Sequence, residues 1–111
     1  MEILFKTKKL QKTFNSEELL IRQYGKENGR LIMRRMMVLA ASQCLADVPQ
    51  TRPERCHALL GDRKGQYAVD VRHPFRIVFR PAHDPLPRCD DGSLDLSRVT
   101  SIQLLDVKDY H

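Results

Sequence analysis

Two short runs, Gln66 to Val71 and Phe75 to Arg80, constrain this chain more than any other stretch. In the first, Tyr67, Val69 and Val71 alternate with Gln66, Ala68 and Asp70; in the second, Phe75, Ile77 and Phe79 alternate with Arg76, Val78 and Arg80. Period-two alternation in β-branched and aromatic residues predicts a half-buried β-hairpin. Arg72-His73-Pro74 is its expected turn, because proline cannot donate to a ladder. Pairing Val71 with Phe75 sets Val69 against Ile77 and Tyr67 against Phe79, so that one face is wholly apolar. The other face then pairs Asp70 with Arg76 and Gln66 with Arg80. Slipping by one residue would bury the arginines, so the register is strongly specified.

Upstream, Gly61 and Gly65 bracket Asp62-Arg63-Lys64, a turn that carries two cations. His57 to Leu60 is a short strand entering that turn, and residues 49–54 read as a linker. At the start, Glu2 to Lys6 is an expected strand, and Leu10 and Phe14 follow at helical spacing. Ser16 can cap a helix from Glu17 to Tyr24, with two acids in its first turn and Gly25 as its stop. A longer helix is expected from about Lys26 to Val48, ending before Pro49. Its apolar stripe is Met33, Met36, Met37, Ala40, Ala41, Cys44, Leu45 and Val48, with Arg30, Arg34 and Arg35 off it. The two helices form an expected antiparallel hairpin.

Residues 81–97, rich in Pro and Asp, make a long loop. Val99 to Val107 is the last strand. Ile102 and Leu104 fall on one face of it and Leu105 and Val107 on the other, so it is either buried on both faces or bulged. The expected fold class is α+β, an N-terminal strand and αα-hairpin packed on a small antiparallel sheet.

At 111 residues the chain is read as one domain, 1–111, large enough for a real core. The net charge of +5 is concentrated early: residues 1–52 hold ten Lys and Arg against five acids, and residues 53–111 hold nine against nine. A basic first half points to a polyanionic or acidic partner. The three cysteines are widely spaced and specify neither a disulfide framework nor a zinc site. No apolar run approaches the ~20 residues that span a bilayer, and a reducing cytosol is the expected compartment, with no membrane partner.

Gly61-Asp-Arg-Lys-Gly65 lacks the ending of a phosphate-binding P-loop and leads into a strand. The four histidines are not at metal spacing, so no metal and no small-molecule cofactor are expected. What remains suits phosphodiester chemistry: His57, Lys64, Arg76, Arg80, Asp109, Tyr110 and His111. RNA carries its own nucleophile, the 2′-OH. A ribonuclease therefore needs a base, fixed cations for the charge developing on phosphorus, and an acid for the leaving oxygen. Histidine can serve as acid or base near neutrality, and arginine grips phosphate through two parallel bonds. Read singly, each has a plainer role: a half-buried strand histidine at 57, a solvated turn tip at 64, a solvated ion-paired face around Arg76. His73 and His83 read as structural or incidental.

The combination His57…Gly61-Asp-Arg-Lys-Gly-Gln66…Phe75-Arg-Ile-Val-Phe-Arg80…Asp109-Tyr-His111 resembles the HigB-like toxins of the RelE/ParE superfamily. The likeness extends over nearly the whole chain. It implies a metal-independent endoribonuclease that cuts messenger RNA in the ribosomal A site. It also implies a cognate antitoxin with a helix-turn-helix domain, of the HigA type. Matched to the family's functional positions are His57, Lys64, Arg76, Asp109, Tyr110 and His111. Lys8, Lys9, Lys12, Arg34, Arg63, Gln66 and Arg80 are the expected RNA and ribosome contacts. Leu60 departs from the family, where several members carry lysine. Two alternatives stay open: a ParE-like inhibitor of gyrase, which is not an enzyme, and a weakened member that binds RNA without cutting it.

Overall fold

A computed structural model describes residues 1–109; Tyr110 and His111 lie outside the described residues. The elements are β1 (Glu2–Phe5), α1 (Lys8–Phe14), α2 (Glu17–Tyr24), α3 (Lys26–Ala41), β2 (His57–Ala58), β3 (Tyr67–Asp70), β4 (Phe75–Pro81) and β5 (Ser101–Asp109). The five strands form one sheet in the order β1-β5-β4-β3-β2. Strands β2 to β5 are antiparallel, as expected. β1 instead lies parallel to β5, Ile3 beside Ile102 and Phe5 beside Leu104, so the sheet is mixed.

The hairpin register follows the alternation: Tyr67 pairs with Phe79, Val69 with Ile77 and Asp70 with Arg76. Val69, Ile77 and Phe79 are buried against Phe14, Leu20, Ile32 and Leu39 of the helices and Ile102 and Leu104 of β5. Each of these large side chains stabilises the fold by about 1.5–3 kcal/mol on leaving water. The Tyr67 and Phe79 rings stack across the strands with centroids 6.2 Å apart.

The opposite face departs from expectation. Ala68 and Val78 are fully buried there, packed with Leu59 and Leu105 in a second, smaller apolar cluster. Leu105 reaches it through a bulge in β5: Leu104 pairs with Phe79 and Asp106 with Val78, leaving Leu105 as the extra residue. This accounts for the break in alternation along β5. Ile102, Leu104 and Val107 serve the main core, and Leu105 the second cluster.

The helix caps behave as the residue types dictate. The Ser16 hydroxyl accepts from the Leu19 amide at 3.2 Å, and Gly25, at φ 91°, separates α2 from α3. α3, however, ends at Ala41 rather than Val48. Ser42 turns extended, and its amide and hydroxyl both donate to the Val38 carbonyl, while the Met1 ammonium donates to Ala40 O at 3.0 Å. The Met1 ammonium thereby occupies a carbonyl that another helical turn would have used, and the Ser42 hydroxyl adds a second donor at Val38 O. Leu45 then donates to Val99 O at 2.9 Å, in a single 3₁₀ turn.

The buried face of α3 is also rotated from the expected stripe. It runs through Asn28, Gly29, Ile32, Arg35 and Leu39; Met33 and Met36 flank it, and Met37 is 70% exposed. Gly29 sets this phase. It packs so closely on α2 that a Cβ there would lie 2.9 Å from the Ile21 amide nitrogen. Arg35, expected off the stripe, is only 8% exposed.

Candidate active site

Strand pairing places Asp70, Arg76 and Lys108 in one row across the face of the sheet that turns away from the helices. Asp70 is its centre. The carboxylate accepts from Arg55 at 2.6 and 3.2 Å and lies 3.4 Å from Arg76 Nε. The Asp70 amide donates to Glu54 O at 2.8 Å, and its carbonyl accepts from Arg35 Nε at 2.7 Å. One strand-end aspartate thus joins the linker, α3 and β4. The hydrogen bond that Arg55 donates to Asp70 pushes the Arg55 pKa up against a smaller desolvation effect, with the carboxylate charge adding to the rise.

Arg55 is the single non-glycine residue with positive φ among those described, at 45°. A left-handed turn costs a side-chain-bearing residue about 1 kcal/mol. Here the bidentate pair with Asp70 and the amide bond to Thr51 O at 2.8 Å hold it in place. The turn aims the Arg55 carbonyl at the His57 ring, 2.7 Å from Nδ1. A carbonyl can only accept, so Nδ1 carries the proton and donates. In the neutral ring Nε2 is then left with its lone pair. His57 is half-buried and pairs with Ala68, two residues along β3 from Asp70. It therefore shares a sheet face with Arg76. Beside it, burial pushes the Cys56 thiol up to about 11, so this neighbour is held protonated and unreactive.

The remaining candidates are divided. Arg80 lies on the same face of β4 as Arg76 but four residues on, about 13 Å away along the strand. There Arg80 Nε donates to Gln103 Oε1 at 2.7 Å and Arg63 to Gln66 Oε1 at 3.0 Å. Lys64, Gln66 and Arg80 line a cleft of about 580 Å³ at that end. Lys64 is thus brought beside Arg80 and not beside Arg76. The His83 Nε2 accepts the Thr100 and Ser101 amides at 3.0 and 3.2 Å, a structural role.

Lys8, Lys9 and Lys12 on α1 and Arg34 on α3 are all exposed, on the helical layer. Asp109 pairs with Phe75, on the side opposite Arg76. Tyr110 and His111, expected next to it, lie outside the described residues. Among the described residues, no group of three or more His, Cys, Asp or Glu side chains is arranged to hold a metal ion.

Sequence reasoning missed Arg55, Arg52, Arg35 and Lys108. Arg52 sits in the linker and Arg55 directly after it, both without periodicity, and Arg35 lies on the buried side of its helix rather than off the apolar stripe. Lys108 lay just beyond the expected end of β5, although its pairing with Arg76 follows from the bulge.

The architecture is an α+β fold with three helices against one face of a five-stranded mixed sheet. The chain is similar in structure to a YoeB/ParE toxin from Agrobacterium tumefaciens, with a TM-score of 0.57 and 10% identity over 100% of both chains. At that identity the likeness carries the fold and not the activity. No family model and no curated protein matches the chain.

Among the described residues, no helix is long and apolar enough to cross a membrane.

Proposed function

We propose that this chain is the toxin of a type II toxin-antitoxin pair, a HigB-like endoribonuclease acting on messenger RNA in the ribosome. The observation that carries the reading is His57, whose Nε2 lone pair is left available on the face that bears Arg76. His57 takes the proton from a 2′-OH, the 2′-oxygen attacks phosphorus, and the bond from phosphorus to the 5′-oxygen breaks. His111 protonates the departing oxygen. The products are a 2′,3′-cyclic phosphate and a 5′-hydroxyl. Arg76 stabilises the charge on the phosphoryl oxygens, and Asp109 and Tyr110 orient His111 or the substrate. Lys64, Arg63, Gln66 and Arg80 hold the RNA backbone at the far end of the hairpin. Lys8, Lys9, Lys12 and Arg34 contact ribosomal RNA through phosphates. The partner that neutralises it is a HigA-like helix-turn-helix antitoxin, and the compartment is the cytoplasm.

The toxin whose fold this chain shares is described as YoeB/ParE, so gyrase inhibition is the competing reading. A gyrase inhibitor has no need of a histidine whose tautomer is set beside an arginine. Primer extension on one messenger in a purified translation system decides between them. The wild type should cut only with ribosomes present, and His57→Ala and Arg76→Ala should each slow cutting by about 10²–10⁴. A folded Arg76→Ala with full activity would sink the mechanism. Undisturbed translation with the wild type would redirect attention to gyrase.

A further inference from the structure

Arg35 is a buried cation with no ion-pair partner among the described residues. It is 8% exposed, and its bond to the Asp70 carbonyl is the single hydrogen bond of its guanidinium among the described residues. No carboxylate among them lies within ion-pair distance of Arg35 or Arg52, because Asp70 is taken up by Arg55 and Arg76. All four arginines, with Asp70 and His73, line one cleft of about 630 Å³ between α3, the linker and the β3–β4 turn. Arg35 and Arg52 thus reach this cleft with no carboxylate partner among the described residues.

A buried charge without a partner is costly to hold out of water. The cost is offset when an anion enters, and the free N–H groups of a guanidinium match two oxygens of a phosphate at once. We infer that this cleft is a phosphate site, in which Arg35, Arg52 and Arg55 hold an RNA phosphodiester next along the strand from the one at Arg76. The anion site stands on Arg35 and Arg52 alone; that its phosphate comes from RNA rests on the proposed function. A carboxylate of an acidic peptide fits less well, since its two oxygens lie in one plane, whereas a tetrahedral phosphate turns its oxygens towards guanidinium groups converging from α3 and the linker.

The full-length protein can be titrated at low salt while the arginine Nε–H resonances are followed by NMR. The probes are inorganic phosphate, a 2′-deoxy trinucleotide that lacks the nucleophile and so survives, and a short glutamate peptide. The Arg35 and Arg52 resonances should shift with phosphate and with the trinucleotide, and the trinucleotide should displace phosphate. Arg52 is exposed, so Arg52→Ala should fold; it should weaken trinucleotide binding about tenfold and lower the salt slope by about one. Arg22→Ala, on α2, should change neither.

Unmoved Arg35 and Arg52 resonances with every probe would overturn the site. Phosphate that the trinucleotide cannot displace, or a glutamate peptide that outcompetes it, would overturn the assignment to RNA. Trinucleotide binding by a protein that cuts nothing on ribosomes would remove the nuclease reading and leave this site standing.

Discussion

Replacing Gly29 by alanine sets two effects of opposite sign against each other. In an exposed helix the change stabilises by about 1 kcal/mol, because glycine is the poorer helix former. At this position the new Cβ would meet Ile21 N at 2.9 Å, Ile21 Cα at 3.0 Å and Leu20 C at 3.0 Å. Ordinary carbon contacts lie at about 3.5–4.0 Å, so each pair is about 0.5 Å or more too close. All three are backbone atoms and cannot rotate aside. α2 must shift as a body, lifting Leu20 from the core, and overpacking of this kind costs about 1–3 kcal/mol. Because the contacts are with unyielding backbone, the clash outweighs the propensity, for a net loss of up to about 2 kcal/mol. For a domain of this size that is up to about 8 °C in Tm. Thermal unfolding followed by circular dichroism measures it directly, with urea unfolding as a check that the m-value is kept. A Gly29→Ala protein that melts at or above the wild-type temperature would refute the close approach of the two helices.

Cys56 makes stability depend on alkaline pH. Its folded pKa is raised to about 11 by burial, so its contribution is complete below the unfolded thiol value and lost as pH rises from about 9 to 11. The loss amounts to about 2–3 kcal/mol, and urea midpoints across that range should fall less steeply in Cys56→Ala. Tyr24 and Tyr67, both raised by burial, add to the decline from about pH 10 and remain in the variant. Val78→Ala tests the second cluster: chemical unfolding should show a loss of about 2 kcal/mol, where a solvated position would show less than about 0.5.

The hairpin was legible because strict alternation admits one register with the arginines outside, and Ser16 and Gly25 marked α2 because capping chemistry is local. α3 was harder to read. Met, Ala and Val occupy more than one of its sides, so its phase is set by the fit of Gly29 on α2, a contact between segments that composition does not reveal. Its end depends likewise on donors from Met1 and Ser42. At the site, His57 and Arg76 could be named from residue type and strand parity. The carbonyl that sets the His57 tautomer could not, since a left-handed arginine in a linker leaves no pattern. Lys64 and Arg76 looked like one group because a turn and a strand were close in sequence, whereas the length of β4 holds their ends apart.

The bulge at Leu105 has a consequence for life at high concentration. β1 accompanies β5 only as far as Leu104, and beyond it the outer rim of β5 has no strand neighbour among the described residues. A flat, unpartnered rim invites another chain to add itself to the sheet. The extra residue falls at the point where β1 stops. It bends and twists the strand there, and Asp106, Lys108 and Asp109 carry charge along the remaining stretch of β5. The same residue that completes the second apolar cluster thereby guards the molecule against edge-to-edge aggregation.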